Sequence, residues 1–425
     1  MRSCIRQRLD RVGVLLALLI GYAAFWQPFV LFRANRIVAG KDVALLALAS
    51  AWPAPFPTRP ATGNVDLSAD LFQVPQAPPP LPHVAWHGAT LLTVAVLALC
   101  LLFVCIRSHP WLRASIGGIG LLALCVGVGM APALLVSPTQ TFARVSPGSG
   151  AWTLAFAFAI LITDALAKRA LRPWPRLAVL AIVLAVLALL FHSGIWARLS
   201  VMQEYASRAP AFWREAQHHV SIVGGAVVAA LVVGIPLGIA CTRVAALRAI
   251  MLPVLNIVQT IPSMALFGLL MAPLGWLALH SPAMAALGIR GIGMAPAILA
   301  LFLYSLLPLT ASVVTGIGEV PETLIEAANG MGMTRRQRLM MIEFPFALPV
   351  LLSGIRIVLV QNVGLAAVAA LIGGGGFGTF IFQGLGQSAS DLVLLGALPT
   401  VALALLASVV FSALADLTRI DDAGP

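Results

Sequence analysis

Long apolar runs dominate this chain, and short polar or charged stretches separate them. A run of about 20 apolar residues is long enough to cross the roughly 30 Å hydrocarbon core of a bilayer as an α-helix. The pattern therefore predicts an all-α, polytopic membrane protein with about ten transmembrane helices. The predicted spans are at about 12–32, 86–106, 115–136, 151–167, 177–195, 219–241, 251–279, 292–315, 354–372 and 391–415.

The composition agrees with a membrane protein. The chain has 425 residues, of which 60% are hydrophobic and 10% are charged, whereas soluble domains average about 25% charged residues. Its formal net charge is +11, which in a soluble protein would suggest a nucleic-acid partner. Here the Lys and Arg residues lie in the loops between apolar runs, where they orient helices by the positive-inside rule. We therefore expect a lipid bilayer, and no nucleic acid, as a partner.

The distribution of basic residues predicts the orientation of the spans. With the N-terminus inside, the predicted cytoplasmic segments hold 16 Lys and Arg residues and the predicted outer segments hold nine. This bias favours cytoplasmic N- and C-termini, and it puts residues 316–353 in the cytoplasm. The first apolar run is longer than the roughly 7–15 apolar residues of a signal peptide. We therefore expect a retained first helix.

The chain divides into two predicted domains of different character. Residues 1–215 hold five predicted spans with few polar side chains, and a Pro-rich loop at 33–85 that we expect to be solvated on the outer side. An apolar stretch at 43–52 in this loop is too short to span a membrane. Residues 216–425 hold most of the intramembrane polar side chains and the polar segment 316–353.

The most informative segment is a charged stretch at residues 326–345, called the island below, in an otherwise apolar half of the chain. A membrane protein keeps such a segment out of the bilayer, so we expect it to meet a soluble partner. An ordinary basic loop would explain its arginines, but not its spacing E-A-A-x3-G-x9-I-x-F-P. The spaced positions include Glu326, Ala327, Ala328, Gly332, Ile342 and Pro345.

Local chemistry predicts how the island folds. Glu326 is expected to open a short helix, where the positive end of the helix dipole favours a carboxylate. Gly332 is expected to turn the chain between two short helices, because glycine tolerates a positive φ. Arg335, Arg336 and Arg338 are expected to face water or an acidic partner.

Four segments carry a resemblance to a known family: 234–238 (GIPLG), 259–265 (QTIPSMA), 326–349 and 373–378 (GGGGFG). With them, residues 216–415 resemble the permease domain of type I ABC importers, most closely the glycine betaine and choline osmoprotectant permeases of the ProW and OpuC kind. The five-span extension resembles that of the larger YehY-type permeases. The island departs from the family pattern at Phe344, where the family usually has Leu.

The resemblance implies a MetI-like permease and three protein partners: a cytoplasmic ABC ATPase dimer, a second permease subunit (the same chain or a shorter relative) and a periplasmic substrate-binding protein. ATP and Mg²⁺ are expected in the ATPase and no cofactor in this chain, which has no G-x-x-x-x-G-K-[ST] motif. Glu326, Ala327 and Gly332 carry over from the family as coupling residues. The full predicted ATPase-coupling set is Glu326, Ala327, Ala328, Gly332, Arg335, Arg336, Ile342 and Pro345.

Uncharged polar residues inside two spans are candidates for a translocation pathway. In hydrocarbon such groups turn toward other helices or toward a water-filled cavity. Hydrogen bonding between helices is an equally common explanation, and both interpretations stay open. Pro262 is expected to break the seventh span just beyond these residues. The candidates are Asn256, Gln259, Thr260, Gln361 and Asn362.

Arg356 predicts where the ninth span begins. A span that started at Phe346 would bury Arg356 about 15 Å deep, and a lone arginine there costs on the order of 3 kcal/mol. We therefore expect Arg356 at the interface, with Pro345 and Pro349 shaping an approach along the membrane surface. The cytoplasmic element is then predicted to extend to about Ser353.

Several further features are interpreted as structural. Residues 373–378 lack a following Lys and are expected to form a flexible outer loop, not a phosphate site. His218 and His219 begin a span and are interpreted as an interfacial pair. Gly234 and Gly238 predict close helix packing.

Neither a disulfide framework nor a metal site is predicted. The five cysteines form no C-x-x-C pair, and His83 and His87 have i,i+4 spacing without a third ligand nearby. The cysteines are Cys4, Cys100, Cys105, Cys125 and Cys241.

The sequence therefore favours the permease subunit of an ATP-driven importer in a bacterial inner membrane, with a compatible solute such as glycine betaine or choline as the substrate that the resemblance implies. The alternative is a secondary transporter or channel that acts without an ATPase. A proton-coupled carrier usually has an acidic or His relay at the bilayer midplane, and the sequence has no clear one. A membrane enzyme is disfavoured, because no nucleophile–base pair or metal cluster is evident.

Overall fold

A computed structural model describes residues 11–34, 40–50, 95–96, 110–136, 140, 142–169, 172–286 and 288–419. The chain forms two compact units. The first comprises Met1–Leu171 with Val186–Gln203, and the second comprises Arg172–Ala185 with Glu204–Pro425. Cys4, Cys100, Cys105, His83 and His87 lie outside the described residues, as do residues 51–85 of the Pro-rich loop.

The first unit combines apolar helices with a small antiparallel sheet. The sheet has strand order β2-β1-β3, and its fully buried neighbours include Ile20, Phe29, Leu48 and Phe158. The elements are α1 (Arg11–Trp26), β1 (Pro28–Arg33), β2 (Lys41–Ala44), α2 (Leu45–Ser50), α3 (Pro110–Leu135), β3 (Arg144–Pro147) and α4 (Ser149–Ala167), followed by α5 (Pro173–His192), which begins in the second unit and belongs to the first from Val186 onward.

Two expectations for this unit are wrong. The first apolar run does not form one helix over 12–32, because α1 ends at Trp26 and β1 follows. The residue before a proline avoids the α region, so the helix ends ahead of Pro28. Residues 40–50 are not a solvated loop, since they form β2 and α2 and bury Leu45 and Leu48.

The second unit is helical throughout its described residues. Its elements are α6 (Ser200–Arg243), which begins in the first unit, α7 (Ala245–Thr260), α8 (Ser263–His280), α9 (Pro282–Ala286), α10 (Met294–Gly318), α11 (Glu322–Gly330), α12 (Arg335–Arg338), a π-helical turn (Leu339–Glu343), α13 (Phe344–Val368), a 3₁₀ turn (Ala369–Ile372), α14 (Gly378–Gly386) and α15 (Ser390–Leu417).

The core of this unit gathers around α10, whose Leu301, Leu309 and Val313 are buried. The predicted close packing at Gly234 and Gly238 is confirmed. A Cβ on Gly234 would lie 3.0 Å from Leu309, and one on Gly238 would lie 2.6 Å from Val313. Glycine therefore lets α6 approach α10 closely.

The polytopic helical class predicted from the apolar runs is confirmed. Within the described residues, eight helices are long and apolar enough to cross a membrane, and α7 is a shorter apolar helix. The span predicted at 86–106 falls almost entirely outside those residues.

One predicted boundary in the second unit is wrong. Residues 251–279 form two helices, because α7 ends at Thr260 and α8 begins at Ser263; the predicted break at Pro262 is thus confirmed. The helix that carries the ninth predicted span, α13, runs without interruption from Phe344, and the start of that span at about residue 354 stays a prediction. Pro345 lies in the first turn of α13. A backbone N–H at this position has no hydrogen-bond partner within that helix, so a proline there costs no bond.

Candidate functional site

The island begins with a helix that starts earlier than expected. Pro321 precedes α11, and Glu322 occupies its first turn, where the dipole favours a carboxylate. Glu326 lies one turn further on and does not open the helix, so that prediction is wrong. The Glu326 side chain is exposed, which leaves it free to meet a partner.

Gly332 ends α11 as predicted. Its φ is +76°, a conformation that glycine adopts without the Cβ penalty of other residues. The N–H of Gly332 donates to the Asn329 carbonyl at 3.0 Å, and the N–H of Met333 donates to the Ala328 carbonyl at 3.1 Å. This is the Schellman pattern, which satisfies the last carbonyls of a helix. The turn is therefore a defined structure and not a loose loop.

The second half of the island is also fixed locally. Thr334 and Gln337 form a capping box at the start of α12, in which the Thr334 N–H donates to Gln337 Oε1 at 2.8 Å. The π-helical turn follows, and the Phe344 N–H reaches the Leu339 carbonyl. Leu339 and Phe344 pack against the core of the second unit. The island is thus joined to α13 without a break.

The predicted coupling residues differ in exposure. Glu326, Ala327, Gly332, Arg335, Arg336 and Pro345 are exposed, Ile342 is half-buried, and Ala328 is fully buried. Ala328 therefore packs α11 against the rest of the protein, while Glu326 and Ala327 beside it are exposed to solvent. Met331, Met340 and Met341 add exposed apolar area to the island.

One arginine of the island is held inside the protein. Arg338 Nε donates to Glu343 Oε1 at 2.8 Å, and its Nη1 donates to Asn329 Oδ1 at 2.8 Å. The expectation that Arg338 faces water or an acidic partner protein is therefore wrong. Arg243, at the end of α6, binds the other carboxylate oxygen of Glu343. We call these four residues, Arg243, Asn329, Arg338 and Glu343, the island anchor.

Sequence reasoning missed Glu343, which is 1% exposed, and Arg243. The motif spacing treated Glu343 as a free position, and Arg243 counted only as a basic residue of a predicted loop. One signal was available: an acidic residue beside apolar Ile342 and Phe344 at the start of a span needs a cationic partner. Which cation it would find could not be read from spacing.

The predicted pathway residues divide into two groups. Gln259 Nε2 donates to the Tyr304 carbonyl of α10 at 3.2 Å, and Tyr304 Oη donates in return to the Ile261 carbonyl at 2.5 Å. Asn362 is fully buried and donates to Ser305 Oγ at 2.8 Å. These two candidates, from α7 and α13, bond adjacent residues of α10.

The remaining candidates make no bond to another helix in the described residues. Asn256 and Thr260 are exposed, and Gln361 is half-buried. The Thr260 hydroxyl donates to the Ile257 carbonyl of its own helix at 2.7 Å. A role for any of the five in translocation stays a prediction.

The part of α6 that follows a kink at Arg208 carries a second buried carboxylate near its start. Glu215 Oε2 accepts from the Gly376 N–H at 2.8 Å and from Thr379 Oγ1 at 3.3 Å. We call Glu215, Gly376 and Thr379 the glycine-loop anchor. Residues 373–378 are therefore held in place and are not the flexible loop that was expected.

His218 and His219 differ in exposure. The His219 side chain is fully buried in the protein and its ring lies 5.0 Å from that of Phe377, while a position at the membrane interface stays a prediction. His218 is partly exposed, with Nδ1 3.8 Å from Glu215 Oε2. In the described part of the chain, no group of three or more His, Cys, Asp or Glu side chains is arranged to hold a metal ion.

Two protein families match separate parts of the chain. Residues 10–59 and 75–202 match the family described as "ABC transporter permease YehY, N-terminal domain". Residues 234–419 match the family described as "Binding-protein-dependent transport system inner membrane component". The second match includes the island and the glycine-containing segments 234–238 and 373–378.

Named relatives match a stretch of similar length. OsmW of Salmonella typhimurium strain LT2, an osmoprotectant import permease protein, is 42% identical over 188 residues, which are 44% of this chain and 82% of OsmW. OpuCB of Bacillus subtilis strain 168, a glycine betaine/carnitine/choline transport system permease protein, is 37% identical over 188 residues, which are 44% of this chain and 78% of OpuCB.

A solved structure of the MetNI methionine ABC transporter in inward-facing conformations covers 50% of this chain and 98% of its own, with 22% sequence identity and a TM-score of 0.42. Family membership rests on the sequence matches, which are far closer. The chain belongs to the family of inner-membrane permease components of binding-protein-dependent ABC importers, which are transport subunits and not enzymes.

Proposed function

We propose that this chain is the permease subunit of an ATP-driven importer for a compatible solute or quaternary amine, such as glycine betaine or choline. The observation that carries the proposal is its 42% identity to OsmW, an osmoprotectant import permease, over 82% of that protein. The 37% sequence identity to OpuCB, a glycine betaine/carnitine/choline transport system permease protein, supports the same substrate class. In this proposal residues 216–425 are the transport domain and residues 1–215 an extension.

The exposed face of α11 supports a docking role for the island. We infer that Glu326, Ala327 and Gly332 meet a cytoplasmic ATPase dimer, with Arg335 and Arg336 beside them. ATP and Mg²⁺ are bound by that partner. The excess of basic residues in the segments assigned to the cytoplasm supports this side, with both termini cytoplasmic.

Two further partners complete the proposed importer. A second permease subunit, either this chain or a shorter relative, shares the ATPase dimer. A periplasmic binding protein delivers the substrate on the opposite side. Asn256, Gln259, Thr260, Gln361 and Asn362 are proposed to lie along or beside the pathway.

Reconstitution tests the proposal. The chain is placed in proteoliposomes with its ATPase and binding protein, and uptake of radiolabelled glycine betaine and choline is measured. We expect uptake that requires ATP and is insensitive to a protonophore. Uptake by the chain alone, driven by an ion gradient, would show a secondary transporter and overturn the proposal.

A further inference from the structure

A single carboxylate joins the island to the membrane-spanning helices. Glu343 lies directly before α13, and its two oxygens bind Arg338 of the island and Arg243 at the end of α6. Arg338 also binds Asn329 in the last turn of α11. Three helices that are separate along the chain are therefore connected: α6 bonds Glu343 ahead of α13 directly, and α11 bonds it through Arg338.

The Glu343 side chain is buried, and its burial restricts where its two arginine partners can lie. Glu343 is 1% exposed, Arg338 is 16% exposed and Arg243 is 36% exposed. A buried carboxylate keeps its charge only when cations and hydrogen bonds compensate for lost hydration. Arginine forms such bonds in a fixed planar geometry. The positions of both guanidinium groups are thus tied to Glu343.

Stability alone does not explain why this site contains ion pairs and not apolar residues. Apolar residues of similar volume often stabilise a buried site as well as an ion pair does. Ion pairs differ from apolar contacts in direction, since short charge-assisted hydrogen bonds hold their partners in a defined orientation. The site lies where the exposed helix α11 must be held relative to α6 and α13.

We propose that Glu343 is a positioning residue for energy coupling: it holds Arg338, and through it Asn329 and α11, in register with Arg243 and α6. A displacement of α11 is then transmitted to the ends of two membrane-spanning helices. The proposal rests on the proposed function, in which an ATPase moves α11. It adds the residues that carry this movement into the permease.

The test uses the complete importer in proteoliposomes and measures transported substrate per ATP hydrolysed. Glu343→Gln keeps the shape of the side chain but removes its charge, so both arginines lose their anion. We expect normal amounts of assembled complex and a transport-to-ATP ratio lowered about tenfold, in the usual range of coupling between sites. A role limited to packing would lower the amount of complex and leave the ratio unchanged.

Two further variants keep the test decisive. The charge swap Arg243→Glu with Glu343→Arg restores one opposed pair and should recover at least part of the ratio. Asn329→Ala removes only the link from Arg338 to α11 and should lower the ratio about threefold, even if Glu343→Gln fails to assemble. Arg248→Gln, an exposed arginine of α7 with no ion pair among the described residues, is the control and should leave the ratio unchanged.

The outcomes separate this inference from the proposed function. If the unaltered importer shows no ATP-dependent uptake, the proposed function fails and the anchor loses its role with it. If the unaltered importer works while Glu343→Gln and Asn329→Ala both keep its transport-to-ATP ratio, only the positioning role is overturned. An assembled charge swap no better than Glu343→Gln also counts against it.

Discussion

The two ends of the part of α6 that follows the kink at Arg208 are held by different chemistry. At Arg243, the island anchor joins charged side chains from three helices around the buried Glu343. At Glu215, about 40 Å away along the helix, the glycine-loop anchor joins one carboxylate mainly to a backbone N–H and a hydroxyl. The nearest basic side chains to Glu215, Arg214 and His218, lie 3.6 Å and 3.8 Å away.

This difference separates an anchor that depends on charge from one that depends on backbone shape. Removing charge should disrupt the Arg243 end, since two arginines rely on one anion. The Glu215 end requires the chain to present an N–H, and Gly375 and Gly376 do so with φ values of +74° and +86°. Adding a Cβ should therefore disrupt that end instead.

The largest expected effect comes from removing each carboxylate. Glu343→Ala should destabilise the protein by about 3 kcal/mol, because Arg338 loses the partner of a buried pair. Glu215→Ala should cost about 2 kcal/mol, because a buried N–H is left without an acceptor. Thermal unfolding of the detergent-solubilised chain measures both.

The control for these variants is Glu322→Ala, which removes an exposed carboxylate and should cost about 0.5 kcal/mol. Equal losses from Glu343→Ala and Glu215→Ala would contradict the distinction between the two ends. A loss from Glu322→Ala as large as either would show that the assay reports total charge and not burial.

The next largest effect is expected from Gly375→Ala, which tests whether the Glu215 end depends on the backbone conformation of the glycine loop. A Cβ on Gly375 would lie 2.7 Å from His218 Nδ1 and 2.9 Å from Glu215 Oε2, and alanine also disfavours the positive φ. Gly375→Ala should therefore cost about 2 kcal/mol. Gly386→Ala, where a Cβ meets nothing within 4 Å, is the matched control and should be close to neutral.

Combining variants sharpens the comparison. The effects of Gly375→Ala and Glu343→Gln on the unfolding midpoint should add, because the two anchors share no partner and lie far apart. Markedly non-additive shifts would show that the ends of α6 are coupled in the folded state and not independently held.

Local backbone chemistry was predictable from the sequence. Gly332 and Pro262 act through properties of a single residue, a tolerated positive φ and a missing N–H, so their turn and break followed directly. The start of α11 at Glu322 was also accessible, because Pro321 and an acidic residue at the first turn are helix-start signals.

The anchors were not predictable, because their partners are distant along the chain. Glu343 and Arg243 are 100 positions apart, and Glu215 and Gly376 are 161 apart. Apolar periodicity gives the buried face of each helix but not how far one helix is shifted against another. For the same reason Gln259 and Asn362 could be identified as inward-facing, whereas their bonding to adjacent residues of α10 could not.

The smallest expected effects come from replacing one threonine near each anchor, Thr334 in the island and Thr379 in the glycine-loop anchor. Thr334 caps α12 within the island, and Thr334→Ala should cost about 1 kcal/mol. Thr379→Ala should cost no more than about 0.5 kcal/mol, because its 3.3 Å bond to Glu215 is long and the Gly376 N–H remains. Amide hydrogen exchange in Arg335–Arg338 and in Gly378–Gly386 measures each loss locally.

Serine controls separate the hydroxyl from the methyl group. Thr334→Ser and Thr379→Ser both keep the hydroxyl and should retain most of the protection from exchange. A larger loss from Thr379→Ala than from Thr334→Ala would mean that the glycine loop depends on its side-chain bond more than on the backbone N–H of Gly376. The Glu215 end would then resemble the Arg243 end, where side chains alone make the connection.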